Sequence, residues 1–296
     1  MVRPSTLLAL GVLAVATAAC APASEPTQAG PSGAASPSAA TGSPAQACAK
    51  DRLALKTAGK LTVGTDKPAY EPWFKNDDPT NGEGFESAVA YAVATRLGFT
   101  KDEVVWETVK FDTAFAPGPK KFDFDINQVS ITPDRAKVVD FSSGYYTVKQ
   151  AVVAVEGSAF ASAKDLASLK DATIGVQVGT TSLRAVKDVI QPSAEPKVYN
   201  DQVDAVNALK NKQVDAIVVD LPTAFYVTAA QVEDSAIVGQ FSATGGTPEE
   251  FGLVFEKGST LVTCVNTAID ELRSSGELAK IEEQWLSAAA GAPELK

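Results

Sequence analysis

TIGVQVGTTSLRAVKDVIQPSAEPKVYNDQVDAVNALKNKQVDAIVVD, residues 173–220, switches repeatedly between two periodicities. Residues 173–178 (TIGVQV) are a short β-rich run. From Thr181 to Ile190 the spacing becomes helical, and KVY (Lys197–Tyr199) is extended again. Asp201–Asn211 then carries a helix, residues 214–219 (VDAIVV) a strand, and Pro222–Ala230 a further helix. Apolar runs of four to eight residues that alternate with helical patterns mark βαβ units, hence an α/β fold with mainly parallel sheets.

Upstream the same alternation occurs once more. KLTVGTD (Lys60–Asp66) is a strand. Phe85, Val89, Ala92, Val93 and Leu97 define a helical face that Gly98 ends. VVWETV (Val104–Val109) and FDFDINQVSI (Phe122–Ile131) are further strands, and KQAVVAVE (Lys149–Glu156) opens the second alternation. Downstream, EFGLVFEKG (Glu250–Gly258) is a strand, and Leu261–Arg273 and Leu278–Ala290 are amphipathic helices split by Gly276. Two alternations imply two lobes. The late strand and helices complete the first, so the chain crosses between lobes twice, near Thr147–Gln150 and Phe241–Thr244. The expected lobes are 48–147 with 246–296, and 148–245.

Composition removes several function classes. The 296 residues hold 26 Lys and Arg against 36 Asp and Glu, a net charge of −10, which opposes binding to nucleic acid or anionic lipid. There is no histidine, which excludes His-based triads and imidazole-ligated zinc. Three cysteines cannot supply a four-Cys iron–sulfur cluster. No GxxxxGK[ST] loop is present, so an ATPase would be a different chain. No cofactor and no metal is expected.

The first 19 residues read as a signal peptide: Arg3, an apolar stretch Leu7–Ala16, then Thr17-Ala18-Ala19. Cys20 behind Ala18-Ala19 resembles the lipobox of bacterial lipoproteins, with Thr17 where Leu is usual; ordinary secretion after Ala-x-Ala is the alternative. Residues 20–47, rich in Ala, Pro and Ser, have no aromatic residue and one charge, Glu25, and read as a disordered tether. With Cys20 assigned to lipid, Cys48 and Cys264 form an even pair in an oxidising compartment, expected as a disulfide; two buried thiols are the alternative.

VSITPDRAKVVDFSSGYY (Val129–Tyr146) resembles the signature of solute-binding proteins of polar amino-acid ABC importers: Ser-Ile-Thr, two residues, Arg, an apolar stretch, Asp-Phe-Ser and paired aromatics. VGTD (Val63–Asp66), VGTTS (Val178–Ser182), a strand ending in Asp220 and a late Trp285 are similar and occur in the family's order, over about residues 60–286. The resemblance implies a two-lobed periplasmic-binding-protein-like fold of type II with two crossover hinge strands. It further implies an extracytoplasmic receptor that delivers a polar or cationic amino acid to membrane permease subunits, as a monomer touching the membrane only through its lipid.

A free amino acid is a zwitterion, so its site needs donors for a carboxylate and an acceptor for an ammonium. Arg135 offers a guanidinium fork for the first, with a surface ion pair as the alternative. By resemblance Ser130 and Thr132 flank it. Thr180 and Thr181, at a turn opening a helix, reach the carboxylate from the second lobe; a plain N-cap explains the same residues. Asp220 ends an apolar strand, where α/β crevices bind ligands, and by resemblance accepts the ammonium with the Gln128 carbonyl; a helix cap before Pro222 is the alternative. Asp66 is expected at the ligand side chain, with Tyr70, Trp73 and Phe111 as aromatic walls. Phe122–Gln128 departs from the family's apolar strand through Asp125 and Asn127: either polarity lies near the pocket, or Asp123, Asp125 and Asn127 share one polar face. Pro117-Gly118-Pro119 also departs from the family, replacing the helix continuation that commonly follows the Phe111 region. Asp66, Glu71 and Asp125 lean the site toward a cationic or neutral polar side chain. Two other classes compete. One is a ligand sensor for a signalling receptor. The other is a cyclohexadienyl-dehydratase-like enzyme on the same fold, for which Glu71, Glu83, Asp66 and Asp125 are the available acids or bases.

Overall fold

The computed structural model describes residues 47–243, 248–287 and 291–296. The signal peptide, Cys20 and all but the last residue of the tether lie outside that range, as does Thr244. Twelve strands occur among the described residues: β1 (Leu61–Thr65), β2 (Val104–Thr108), β3 (Phe124–Asp125), β4 (Val139–Phe141), β5 (Tyr146–Val148), β6 (Gln150–Val155), β7 (Ile174–Gln177), β8 (Lys197–Tyr199), β9 (Ala216–Asp220), β10 (Ser235–Phe241), β11 (Glu249–Phe251) and β12 (Val254–Glu256). They build two five-stranded sheets, ordered β2-β1-β3-β12-β4 and β10-β6-β9-β7-β8, and a ribbon of β11 with β5. The result is the two-lobed α/β architecture expected.

The helices are α1 (Phe85–Arg96), α2 (Phe111–Ala114), α3 (Pro133–Ala136), α4 (Thr181–Ala185), α5 (Gln202–Lys210), α6 (Leu221–Tyr226), α7 (Leu261–Ser274) and α8 (Glu277–Leu286). Both α4 and α6 continue as wider π-type turns, over Val186–Ile190 and Val227–Gln231. The expected long strand Phe122–Ile131 shrinks to β3, and Gln128 beyond it turns into the left-handed region at φ 51°.

Among the strands of the described residues, β1 pairs in parallel with β2 and β3, and β7 with β8 and β9. In contrast β12 runs antiparallel to β3 and β4, and β6 antiparallel to β9 and β10. The sheets are therefore mixed rather than mainly parallel. The ribbon is the cause: β5 leads through Lys149 straight into β6, and β11 into β12, so each strand enters its sheet from the ribbon end.

Alternation along β6 and β9 buries both faces of the second sheet, with Val152, Ala154, Ala216 and Val218 on one side and Ala151, Val153, Ile217 and Val219 on the other. The first lobe packs α1, α7 and α8 on β1 and β3 through Val89, Val93, Ile269, Leu272 and Phe124. There Cys48 and Cys264 are joined as a disulfide, their Cα atoms 5.3 Å apart. One terminal segment departs from expectation. The Pro293 carbonyl accepts from the Gln240 N–H (2.7 Å), and the Leu295 N–H donates back to the Gln240 carbonyl (2.9 Å). Leu295 is buried in the core of the second sheet, so the last residues return to the lobe that the sequence assigned to 148–245. An apolar residue there finds the open edge of β10, where Gly239 leaves room: a Cβ at that position would stand 2.6 Å from Leu295.

Candidate functional site

The carboxyl ends of β1 and β9, the start of α4 and the segment after β3 surround a cavity of about 340 Å³. Of the residues singled out in the sequence, Asp66, Tyr70, Phe111, Gln128, Thr180, Thr181 and Asp220 line it. Ser130, Thr132 and Arg135 stand behind this lining, and Trp73 does not reach it.

Arg135 is placed by its own short helix. Pro133 opens α3, and the Thr132 hydroxyl caps it by accepting from the Arg135 N–H (3.3 Å). Arg135 is 8% exposed, which removes the surface ion-pair reading, and its guanidinium faces inward. It donates through Nη1 to the Ser130 carbonyl (2.7 Å) and through Nη2 to the Gly179 carbonyl of the second lobe (2.9 Å). Its plane lies 4.2 Å from the Phe115 ring centroid and 5.6 Å from that of Phe111. Burial pulls its pKa down to about 10, opposed by the Glu249 charge, so it stays a cation at neutral pH.

Thr180 is the N-cap of α4: its hydroxyl accepts from the Leu183 N–H (3.0 Å) and donates to the Gln177 carbonyl (2.8 Å). Thr181 presents its hydroxyl to Ser130 at 3.3 Å across the cleft. Asp220 sits at the N-cap position of α6 but makes no capping bond, so the cap alternative fails. Its Oδ1 accepts from Gln150 Nε2 (2.8 Å). Burial first, and the Glu249 charge second, push its pKa to about 8.

Asp66 spends its oxygens on the backbone N–H groups of Lys67 (2.7 Å) and Phe111 (3.1 Å), fixing both sides of the cavity mouth; burial raises its pKa. Gln128 is tied by its backbone N–H to Glu86 (2.7 Å) and by its side-chain amide to the same carboxylate, which also accepts from the Tyr145 hydroxyl. Glu86 is fully buried, and that burial lifts its pKa to about 7. Trp73 is core rather than wall: it packs edge-on to Phe85, Tyr146 and Phe251 and donates from Nε1 to Thr223 Oγ1 (2.9 Å).

The shared polar face is not formed. Asp123 is buried and accepts from the Lys56 and Thr62 N–H groups (both 2.7 Å). Asp125 is completely buried with neither oxygen hydrogen-bonded, its pKa driven well up by burial, and Asn127 lines the cavity with its amide nitrogen unpartnered. Glu71 is not part of the lining; instead Asp112 and Asp201 join Asp66 and Asp220, against Lys67 and Lys110. Among the described residues no cluster of acidic or cysteine side chains is arranged to hold a metal, and no helix is long and apolar enough to cross a membrane.

Sequence reasoning missed Glu249, Gln150 and Ser182. Ser130 Oγ donates to Glu249 Oε1 (2.6 Å), Gln150 Nε2 reaches Glu249 Oε2 (3.2 Å), and Ser182 Oγ donates to Gln150 Oε1 (2.6 Å). The available signal was a polar residue heading an otherwise apolar strand, Gln150 in QAVVAV, and an acid beginning another, Glu249 in EEF.

Comparison with known proteins places these features. The family model for bacterial extracellular solute-binding proteins, family 3, matches residues 61–288. The arginine-binding extracellular protein ArtP of Bacillus subtilis is 28% identical over 232 residues, 77% of this chain and 86% of that one. The L-cystine-binding protein TcyJ of Escherichia coli is 29% identical, over 79% of this chain and 85% of its own. An ancestral arginine-binding protein solved with arginine bound superposes with a TM-score of 0.65 at 33% identity, covering 77% of this chain and 98% of that one. With a match over most of its length, the chain belongs to the bacterial extracellular solute-binding proteins of family 3.

Proposed function

We propose that the protein is the amino-acid receptor of an ABC importer, holding a free amino acid between its lobes and handing it to permease subunits, without covalent chemistry. The observation carrying this reading is the pairing of opposite charges from opposite lobes. Arg135 is buried, Asp220 is half-buried at the cavity wall, and each feels the other's charge, with the N-terminus of α4 beside them. Such a set fits the two ends of a zwitterion. Charge-assisted contacts of about 1.5–3 kcal/mol each, two or three in number, together with desolvation in a closed cleft reach micromolar affinity near about −8 kcal/mol. The excess of acids around the cavity favours a cationic or neutral polar side chain. Relatives named for arginine and cystine support that class.

The lobes divide at the β5–β11 ribbon, residues 48–147 and 246 onward forming the first and 148–245 the second, with the last residues returning to the second. The mature chain is a monomer anchored outside the cytoplasmic membrane through lipid on Cys20; membrane retention unchanged in Cys20→Ala would end the anchoring reading. A thermal-shift screen against the twenty amino acids plus ornithine, citrulline and cystine tests the receptor role. A rise in Tm with one or a few is expected, and none with any would overturn it.

A further inference from the structure

Gln150 is fully buried at the point where the chain passes from the ribbon into the second sheet, and every polar group of its amide is used. Nε2 serves two carboxylates at once, Asp220 Oδ1 at 2.8 Å and Glu249 Oε2 at 3.2 Å, while Oε1 is fixed by the Ser182 hydroxyl at 2.6 Å. The amide therefore cannot turn to favour either acid. Glu249, 6% exposed, has a donor on each oxygen, from Ser130 and from Gln150. Asp220 has one such donor among the described residues and lines the cavity. The cation of this cluster gives its hydrogen bonds to carbonyls, Arg135 to Ser130 and Gly179, rather than to either carboxylate. Two carboxylates within reach of one nitrogen, one of them buried and the other half-buried, are not both ionised without cost. The one with fewer donors is the one that takes a proton.

We propose that Glu249 is a positioning residue of the ammonium subsite. In the ligand-free protein it keeps a proton on the Asp220 carboxyl, and the α-ammonium of an incoming amino acid displaces that proton to solvent. This rests on the receptor reading for its second half only. The groups facing Asp220 are Glu249 on β11, Arg135 on α3, Glu86 on α1, and Tyr145 and Tyr146 at the ribbon. Burial and Glu249 raise the Asp220 pKa to about 8, and the Gln150 hydrogen bond and then Arg135 oppose them without cancelling the rise. Binding then exchanges a neutral acid for an ion pair: the carboxyl loses its proton, the ammonium nitrogen supplies the donor in its place, and net charge is conserved by release of one proton.

Two measurements decide it. The first is carbon-13 NMR titration of the ligand-free protein labelled at the aspartate carboxyl carbons, with the Asp220 signal assigned by its loss in Asp220→Asn. The expected midpoint is far above the ordinary range of about 3.9. It should fall by at least about one unit in Glu249→Gln, an isosteric change that keeps an oxygen for Gln150 and a polar partner for Ser130. A midpoint in the ordinary range, or one unmoved in Glu249→Gln, overturns the proposal; a merely structural Glu249 would lower stability and leave the midpoint alone. The second is calorimetry with L-arginine, L-lysine and L-glutamine at pH 7 in buffers of low and high ionisation enthalpy. Most of one proton should be released per binding event in the wild type, and much less in Glu249→Gln. Heats independent of buffer overturn the displacement. If none of the three binds the wild type, the displacement is measured instead with the amino acid that the thermal-shift screen identifies; if that screen finds none, the receptor reading and the displacement fall together, while the NMR titration still decides whether Glu249 holds the proton on Asp220.

Discussion

Arg135 is buried with donors committed to two carbonyls and Asp220 is half-buried at the cavity wall, so truncating either leaves an opposite charge of the ligand without its partner. Removing one member of a buried charge pair costs about 3–5 kcal/mol, chiefly through the partner left alone. Arg135→Ala should therefore weaken amino-acid binding by at least about a hundredfold at ~1.4 kcal/mol per tenfold. Asp220→Asn should do the same toward amino acids, yet penalise a des-amino analogue far less. Calorimetry with both ligands checks the pair, and near-wild-type affinity in either folded variant would remove that residue from the site. Asp125 is a different case, a carboxyl beneath the floor of the site with no donor on either oxygen. Its close neighbour Gly64 on β1 would place a Cβ 2.7 Å from Asp125 Oδ2, so the strand pair is built around this group. Burial is the leading cause of its raised pKa, the Glu86 and Asp66 charges add to it, and Lys120 opposes. The folded state thus binds the proton more tightly than the unfolded one. Stability is fully present below the unfolded pKa of about 3.9 and is lost as pH rises toward the folded value. Asp125→Asn abolishes that loss. It should stabilise the protein at pH 8 by about 1–3 kcal/mol while changing little at pH 4, as read from urea denaturation at the two values. A gain of equal size at both would show that packing, not ionisation, is responsible.

Among the elements, those with strong local periodicity were legible from sequence and those set by distant pairing were not. Helices α1, α5, α7 and α8 and strands β1, β7 and β9 follow from apolar spacing and from stop signals such as Gly98 and Gly276. The direction of β6 and β12 could not be read, because it depends on the ribbon that Tyr146–Val148 forms with Glu249–Phe251, about a hundred residues later in the chain. The same distance hid Glu249 and Gln150, whose meaning exists only once the ribbon and the second sheet meet. Within the site, the capping hydroxyl was readable at Thr180, whereas Thr132, expected only beside Arg135, proved to cap α3 as well. An aromatic residue gives no local clue to wall or core, and Trp73 proved to be core. The chain's return to β10 was equally illegible, being six residues without periodicity. Its energetics are nonetheless plain. Leu295 is buried against the second sheet, two backbone hydrogen bonds join it and Pro293 to Gln240, and the Gln240 side chain donates to the Ala292 carbonyl (2.8 Å). Leu295→Ala should cost about 2–3 kcal/mol, toward the low end for a buried leucine because an edge can collapse. A shift of the urea midpoint at constant m is the measurement, and a change below about 0.5 kcal/mol, the scale of ordinary surface substitutions, would show the segment to be undocked in solution.

At the scale of the whole molecule, the disulfide closes a loop of 216 positions and ties the entry of the folded chain to α7, so it stabilises the first lobe without restraining the second. Motion between lobes is governed instead by the ribbon and by the contacts that cross the cleft. Trp73, rooted among the aromatics of the first lobe, donates to Thr223 on α6 of the second, and both residues are buried. When the lobes part, the indole N–H meets water; when they close, it needs Thr223. Thr223→Val keeps the shape and removes the acceptor, leaving a buried donor unpaired in the closed form at a cost of about 1–3 kcal/mol and leaving the open form unaffected. A ligand that binds the closed form loses apparent affinity in proportion to the fraction of closed protein. Amino-acid affinity should therefore fall roughly 5- to 100-fold at ~1.4 kcal/mol per tenfold, with the loss in the dissociation rate rather than the association rate. Thr223→Ser, which retains the hydroxyl, should bind nearly as the wild type does. Stopped-flow fluorescence gives the rates, and small-angle scattering of the ligand-free variants gives the balance of open and closed forms. Wild-type dissociation and an unchanged radius of gyration in Thr223→Val would show that this bond does not govern closure, and would leave Arg135 with Gly179, Ser130 with Thr181 and Arg184 with Asp134 among the contacts that hold the cleft shut.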